Sequence, residues 1–203
     1  THTGTTPIPP SSTTSVIDLS PTLESRILGG TQHYAVYLPP SYTKEPQRRY
    51  PVLYLLHGMY QNYESWFSDG GLQAAADKAI AEGAVEMIII CPNGFNSFYY
   101  NTADMHYEDF FIREFVPEVE RRYRILFEKE HRNIAGLSMG GFGATYLAFQ
   151  HHELFGNAYS TSGGFIEPAT TLLKDIINAK LATEKSNFPT YTLECGEEDT
   201  LVI

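Results

Sequence analysis

Two kinds of apolar segment alternate along this chain: continuous apolar runs, and segments in which apolar residues recur at helical spacing. Continuous apolar runs bounded by turn residues are typical of strands that are covered on both faces of a parallel sheet. Such runs fall at residues 51–56, 87–91, 132–137, 155–160 and 190–195. Between them, apolar residues recur at helical spacing over 72–83, 107–123, 139–151 and 170–181. Pro117 predicts a kink in the second of these helices.

The amino-terminal part has a different pattern. Residues 23–28 and 32–38 flank Gly29-Gly30, which predicts an antiparallel hairpin. Residues 1–15 are mostly Thr, Ser and Pro, so we predict a disordered linker or expression remnant there and a single domain over 16–203. Strands that alternate with helices after a hairpin predict an α/β fold, with a mostly parallel central sheet and helices on both faces.

Composition narrows the classes of partner. The chain has 203 residues, 42% of them hydrophobic, which is enough for a substantial core. A formal charge of -10 with only 14 scattered Lys and Arg argues against a nucleic-acid partner. The apolar runs are too short to cross a bilayer, which argues against a membrane partner. We expect a secreted or periplasmic protein, with the cytoplasm as the alternative, and leave its oligomeric state open.

Two cysteines, Cys91 and Cys195, each lie at the end of a strand-like run. They cannot form a disulfide framework, and neither belongs to a C-x-x-C pair. Buried, unreactive thiols are the favoured interpretation, with one disulfide or a reactive thiol as the alternatives.

The candidate chemistry centres on Ser138, the middle residue of a G-x-S-x-G motif at 136–140. The motif lies between a predicted strand and a predicted helix. Small residues two positions before and two after the serine allow the two backbones to approach closely, and the turn holds the serine at the end of the strand. We therefore predict that Ser138 is a nucleophile. The alternative is a glycine-rich turn that only packs a helix on a sheet.

A nucleophilic serine also requires a base, a group that orients the base, and donors for the oxyanion of the tetrahedral intermediate. The N–H of Met139, at the start of the following helix, is the first predicted donor. The N–H of Met59, directly after His57-Gly58, is the second. Asp199 follows the last predicted strand and is the predicted orienting carboxylate. Glu197 and Glu198 are the alternatives.

The base is absent from this set. In this kind of fold the order along the chain is Ser, acid, His, and only four residues follow Asp199. Among the seven histidines, only His106 lies in a loop on the expected active face, which makes it the alternative base. We expect instead that the carboxyl-terminal part of the fold, with the catalytic histidine, lies beyond Ile203.

Several segments resemble motifs of one family. They are Y-L-P-P-S-Y at 37–42, Y-P-V-L-Y-L-L-H-G at 50–58, the helix that begins Y-E-D-F at 107, G-L-S-M-G-G at 136–141 and C-G-E-E-D at 195–199. Together they resemble the esterase D-like branch of the α/β-hydrolases, which includes feruloyl and acetylxylan esterases of carbohydrate esterase family 1, S-formylglutathione hydrolases and mycolyltransferases. The formylglutathione branch fits less well because 164–189 is short.

The resemblance implies an α/β-hydrolase fold without cofactor or metal, in which Ser138 and Asp199 are catalytic and Met59 and Met139 form the oxyanion hole. It implies a serine carboxylic-ester hydrolase that forms an acyl-serine intermediate, with feruloyl or acetyl esters of plant polysaccharide as substrates. The residues expected to contact substrate lie in the oxyanion loop and an aromatic loop: His57, Gly58, Tyr60, Phe98 and Tyr99. A non-catalytic carbohydrate-binding or interaction module on the same fold, and an acyltransferase, are the alternatives.

Overall fold

The computed structural model describes residues 14–183, 187–197 and 199. Eight strands lie within these residues: β1 Val16–Asp18, β2 Thr22–Ser25, β3 Gly30–Leu38, β4 Val52–Leu56, β5 Ile88–Pro92, β6 Arg132–Leu137, β7 Asn157–Thr161 and β8 Thr190–Glu194. Their order across the sheet is β1-β3-β5-β4-β6-β7-β8, with β2 paired to β3.

Strand directions follow the sequence prediction. The pairs β4–β5, β4–β6, β6–β7 and β7–β8 are parallel, whereas β1, β2 and β5 pair antiparallel with β3. The predicted hairpin is therefore confirmed as β2–β3. Strand β1 was not predicted, because it is three residues long and carries too little pattern to be recognised.

The predicted linker overlaps the described residues only at Thr14 and Ser15, and residues 1–13 lie outside them. Ser15 is buried, and its hydroxyl donates a hydrogen bond of 2.8 Å to the carboxylate of Asp77. This residue therefore packs against the domain, which corrects the expectation that all of 1–15 is a linker.

Six α-helices occur in the described residues: α1 Ser65–Ser68, α2 Leu72–Ala81, α3 Tyr107–Phe110, α4 Val116–Arg122, α5 Met139–Gln150 and α6 Ala169–Thr183. A π-helical turn over Phe111–Phe115 joins α3 to α4, and Pro117 is the second residue of α4. Proline has no N–H to donate and its ring crowds the preceding turn, and a π turn accommodates both effects. The predicted irregularity therefore takes the form of a π turn. None of the helices described here is long and apolar enough to cross a membrane.

The sheet separates two apolar clusters, which confirms helices on both faces. The larger cluster lies under α3, α5 and α6 and contains large buried aromatics such as Tyr54, Phe111 and Phe142. The smaller cluster lies under α1 and α2, around Tyr37, Leu55 and Ile89. The parallel strands β4, β5 and β6 are buried on both faces, which explains their continuous apolar sequences. Their carboxyl ends form the edge on which the site described next is built.

Candidate active site

Ser138 occupies a tight turn between β6 and α5. Its backbone has a positive φ of 54° with ψ -117°, which is strained for a residue with a side chain. A Cβ added to Gly136 would overlap the carbonyl of Gly140, and one added to Gly140 would overlap the carbonyl of Leu56 and lie 2.7 Å from that of His57. The flanking glycines are therefore required, because strand, turn and helix backbones touch here.

The peptide that joins Ser138 to Met139 is fixed from its carbonyl side. The Ser138 carbonyl accepts hydrogen bonds from the N–H groups of Phe142, at 3.0 Å, and Gly164, at 2.8 Å. A trans peptide directs its N–H opposite to its C=O, so these two bonds also set the direction of the Met139 N–H. That N–H lies in the first turn of α5, where backbone donors have no intrahelical carbonyl to bond and the helix dipole favours negative charge.

The predicted oxyanion loop after β4 is organised by His57. The His57 side chain is buried, and its Nε2 atom accepts the N–H of Gly94 at 2.8 Å. The opposite ring nitrogen, Nδ1, lies 2.7 Å from the carbonyl of Gly58 and must therefore carry the proton. Burial lowers the pKa of His57, although its hydrogen bonds with Gly58 and Asn93 oppose that shift. The neutral Nδ1–H tautomer is the form that satisfies both contacts.

The peptide that joins Gly58 to Met59 is fixed in the same way as the one after the serine. The Gly58 carbonyl accepts from His57 Nδ1 and, at 3.3 Å, from the N–H of Gln61. The Met59 N–H is thereby directed to the opposite side. A Cβ added to Gly58 would lie 3.7 Å from the Cβ of Ser138, so this loop packs directly against the elbow. The two predicted oxyanion donors thus belong to neighbouring, immobilised peptides.

Two further N–H groups of the loop are held by side-chain amides. The N–H of Gly58 donates to Oε1 of Gln61 at 2.8 Å, and the N–H of Tyr60 donates to Oδ1 of Asn96 at 2.8 Å. Tyr60 has φ 64° and an 85% exposed side chain. The contacts of Gln61 and Asn96, and the hydrogen bond from the N–H of Gly164 to the carbonyl of Ser138, were not predicted. Each of them involves a backbone group, and no spacing rule indicates such contacts.

The residues predicted to contact substrate differ in how exposed their side chains are, and not all of them reach the surface. Tyr60 is exposed in the oxyanion loop, and Phe98 is half-buried and makes a T-shaped ring contact with Phe142, one turn after Ser138. Tyr99, in contrast, is fully buried, and its hydroxyl donates to the carbonyl of His57 at 2.9 Å.

Two of the predicted substrate contacts are therefore corrected. The Tyr99 ring packs beneath the oxyanion loop, and the His57 ring is held by backbone groups on both sides, so neither side chain reaches the surface where a substrate would lie. Both residues support the loop from below. Gly58 keeps its place beside the serine through its backbone.

The predicted acid lies on the same edge of the sheet as Ser138. Ser138 follows β6 and Asp199 follows β8, with β7 between them, so the strand ends are about 10 Å apart. The N–H of Asp199 donates to the carbonyl of Gly196 at 3.1 Å. Glu197, an alternative acid, is exposed, and Glu198 lies outside the described residues.

The two cysteines differ from each other. Cys91 is buried, as predicted, and burial raises its pKa. Cys195 is exposed and directly follows β8, the outermost strand described on that side of the sheet. Its thiol lies 3.5 Å from Oδ2 of Asp199. The expectation of two buried thiols is therefore wrong for Cys195.

The structure also places the alternative base. His106 lies at the start of α3, where its Nδ1 atom is 3.7 Å from Oδ2 of Asp109. It lines a pocket of about 400 Å³ beside the hairpin turn, together with Ile27 and Leu28, and Ser138 is not part of that pocket. Apart from His57 and His106, the described histidines lie in β3 or at the edge of the sheet opposite to the elbow: His33, His131, His151 and His152. Among the described residues, no group of three or more His, Cys, Asp or Glu is arranged to hold a metal ion.

The chain is similar to known esterases in sequence and in fold. Residues 25–191, more than half of the chain, match the family model described as "Putative esterase". Over 157 residues the chain is 34% identical to an endo-1,4-beta-xylanase/feruloyl esterase of Xylanibacter ruminicola. The match covers 72% of this chain and 22% of that protein. The chain thus spans less than a third of the length of the first curated relatives that it matches.

Solved structures show the same fold. A ferulic acid esterase is 36% identical with a TM-score of 0.72, over 81% of this chain and 68% of that chain. A mutant of the feruloyl esterase module from Clostridium thermocellum, complexed with sinapinate, is 26% identical with a TM-score of 0.72, over 93% of this chain and 69% of that chain. These matches confirm the α/β-hydrolase fold. Because the "Putative esterase" family model matches more than half of the chain, the chain belongs to that esterase family.

Proposed function

We propose that this chain provides the nucleophile and the oxyanion hole of a serine carboxylic-ester hydrolase. One observation carries the proposal. The N–H groups of Met59 and Met139 belong to two peptides, and the carbonyl of each peptide accepts two hydrogen bonds. The first of these peptides joins Gly58 to Met59, and Gly58 packs against Ser138. Preorganised donors of this kind stabilise the charge that develops in acyl transfer, and one such donor contributes about 3 kcal/mol.

The proposed reaction proceeds in two halves. The Ser138 hydroxyl oxygen attacks the ester carbonyl carbon while a base takes its proton. The carbonyl electron pair moves onto oxygen, where the N–H groups of Met59 and Met139 stabilise it. Collapse of this tetrahedral intermediate expels the alcohol, which takes the proton from the base, and leaves an acyl-serine. Water then repeats the sequence and releases the acid.

We assign the orienting role to Asp199. A carboxylate in this role holds the histidine base in the correct tautomer and stabilises its charged form. The position after β8, on the same edge of the sheet as Ser138, supports the assignment. None of the histidines in the described residues is assigned as the base: His57 is held by backbone groups on both ring nitrogens, and His106 faces Asp109.

For the substrate we propose a feruloyl or acetyl ester of plant polysaccharide. The three similar proteins reported above are named as feruloyl or ferulic acid esterases, and one of them was solved with sinapinate. In this chain, Tyr60 is exposed directly after Met59, and the half-buried ring of Phe98 contacts Phe142, one turn after Ser138. An aromatic acyl group would stack on these rings. Because a polysaccharide is too large to enter a cell, we propose that the protein acts in a secreted or periplasmic location.

The test is hydrolysis of methyl ferulate and of p-nitrophenyl acetate by the full-length protein. We expect release of ferulate and nitrophenol, and loss of at least about a thousandfold in kcat in Ser138→Ala. The matched control is Ser162→Ala, which removes a hydroxyl from the adjacent strand end and retains activity. Equal rates for Ser138→Ala and the unmodified protein would contradict the proposal.

A further inference from the structure

We propose that Gln61 and Asn96 are positioning residues that make the N–H of Met59, and not a neighbouring N–H, the oxyanion donor of the loop after β4. The inference rests on the proposed function, since it concerns how the oxyanion hole is built. It assigns a role to two side chains that accept hydrogen bonds from backbone N–H groups of the loop.

Gln61 holds the amino-terminal side of the donor. Its side-chain Oε1 accepts the N–H of Gly58 at 2.8 Å, while its own N–H donates to the carbonyl of Gly58 at 3.3 Å. The peptides on both sides of Gly58 are therefore held by one residue. Because the carbonyl of Gly58 and the N–H of Met59 belong to the same planar unit, the second bond also limits rotation of the donor.

Asn96 holds the carboxyl-terminal side. Its Oδ1 accepts the N–H of Tyr60 at 2.8 Å from the loop that follows β5. The same loop is attached a second time, where the N–H of Gly94 donates to Nε2 of His57. Tyr60 itself has φ 64°, a conformation that a tyrosine does not adopt without a stabilising contact. The bond from Asn96 supplies that contact and stabilises the turn directly after Met59.

The two bonds together select one donor from three. Among the consecutive N–H groups of Gly58, Met59 and Tyr60, the outer two are each occupied by a side-chain amide oxygen. An occupied N–H cannot also turn toward an oxyanion without breaking its bond. The middle N–H is left to face the substrate, in an orientation fixed on both sides. A hole that needs no rearrangement during the reaction is the more effective one.

The locations of the two side chains separate this role from simple stabilisation of the fold. Asn96 is exposed and Gln61 is only partly buried. Surface amides contribute little to the free energy of unfolding, so their removal should change the melting temperature little. The loss should instead appear in kcat and in the affinity for a tetrahedral analogue, both of which depend on the oxyanion hole.

The experiment uses the full-length protein with p-nitrophenyl acetate as substrate and phenylboronic acid as the tetrahedral analogue. Gln61→Met and Asn96→Ala remove the acceptor oxygens, and Gln61→Glu and Asn96→Asp retain them. Asn62→Ala is the matched control, because the Asn62 side chain belongs to the same loop but accepts from the N–H of Glu64.

We expect Gln61→Met and Asn96→Ala each to lower kcat by about tenfold or more, with KM changed less than about twofold. The affinity for phenylboronic acid should fall by a similar factor. Gln61→Glu and Asn96→Asp should restore kcat at least about threefold relative to the variants without an acceptor, and Asn62→Ala should keep the unmodified kcat.

Two outcomes would overturn the inference alone: unchanged kcat in Gln61→Met and Asn96→Ala, or a lower kcat with unchanged boronate affinity. Failure of the unmodified protein to hydrolyse any ester would instead overturn the proposed function, so the two failures are distinguishable.

Discussion

The Nε2 atom of His57 lies 2.8 Å from the backbone nitrogen of Gly94 and accepts its hydrogen bond, which fixes the loop after β5 to the loop after β4. The same ring donates from Nδ1 to the carbonyl of Gly58. Protonation of Nε2 would turn the acceptor into a donor that faces another donor. The architecture of the oxyanion loop therefore requires a neutral His57.

This relationship predicts a pH dependence of stability. Burial, the largest effect, lowers the pKa of His57 in the folded protein below the unfolded value of about 6.5. As the pH falls below about 6.5, the unfolded chain takes up a proton that the folded chain resists, so the free energy of unfolding should decrease until the pH reaches the lower folded pKa. Urea unfolding at pH 7.5 and at pH 5.5 measures the effect.

The control for this prediction is His57→Gln. It should be less stable than the unmodified protein at pH 7.5, because two buried hydrogen bonds are perturbed, but its stability should change less between pH 7.5 and pH 5.5. An identical pH dependence in both proteins would show that another group is responsible.

Gly140 provides a test of the close packing at the elbow. A Cβ at this position would overlap the carbonyl oxygen of Leu56, a backbone atom that cannot move without displacing β4. We expect Gly140→Ala to reduce stability by about 2 kcal/mol or more and to reduce kcat, because α5 and the oxyanion loop would separate. Thermal unfolding and ester hydrolysis measure both effects.

The matched substitution is Gly196→Ala, since no atom of the described residues lies within 4 Å of a Cβ added there and its φ is not in the left-handed region. Its stability should stay within about 0.5 kcal/mol of the unmodified protein. Equal effects of the two substitutions would contradict the account of the elbow.

The side chain of Glu108, in α3, forms hydrogen bonds that hold α3 against α5. Its carboxylate accepts from the hydroxyl of Tyr146 at 2.7 Å and from Nε2 of His151 at 2.8 Å. Burial raises the pKa of Glu108, but the hydrogen bonds from His151 and Tyr146 outweigh it and lower the pKa overall. We expect Glu108→Ala to cost about 2–3 kcal/mol of unfolding free energy, because two partly buried donors lose their acceptor.

Urea unfolding at pH 7 measures this loss. Glu153→Ala is the comparison, because Glu153 is exposed and lies 3.8 Å from the other ring nitrogen of His151. An exposed pair of this kind contributes less than about 1 kcal/mol. Equal losses in the two variants would refute the role given to Glu108.

Asp199 is tested by substitution with its amide. Asp199→Asn preserves the shape of the side chain and removes its charge, so we expect kcat to fall by about 10⁴, as expected for the orienting acid of a serine triad. Glu197→Gln, on the same turn but exposed, should leave kcat within about twofold. A large loss of kcat in Glu197→Gln and none in Asp199→Asn would show that Glu197, and not Asp199, is the orienting acid.

The sequence predicted most of the fold because its strong signals are local. The continuous apolar runs of β4, β5 and β6 reflect burial on both faces, and the glycines around Ser138 reflect the close approach of α5 to β4. The short elements β1 and α1 were missed because three or four residues carry no period.

The site was predictable where it follows a motif and not where it depends on three-dimensional contacts. The positions of Ser138 and Asp199 at strand ends follow from the order of elements along the chain. The burial of Tyr99, the exposure of Cys195 and the contact between Asn96 and Tyr60 depend on how loops fold over the sheet. Such contacts join residues that are distant in sequence, so no local pattern indicates them.

The central claim is that Ser138 is the activated nucleophile, and one measurement tests it most directly. The full-length protein and its Ser138→Ala variant are treated with a fluorophosphonate, and intact mass and peptide mapping locate the adduct. The account predicts one adduct, on Ser138, in the unmodified protein and none in the variant. An unlabelled Ser138 in the folded full-length protein, or equal labelling of the variant, would contradict it.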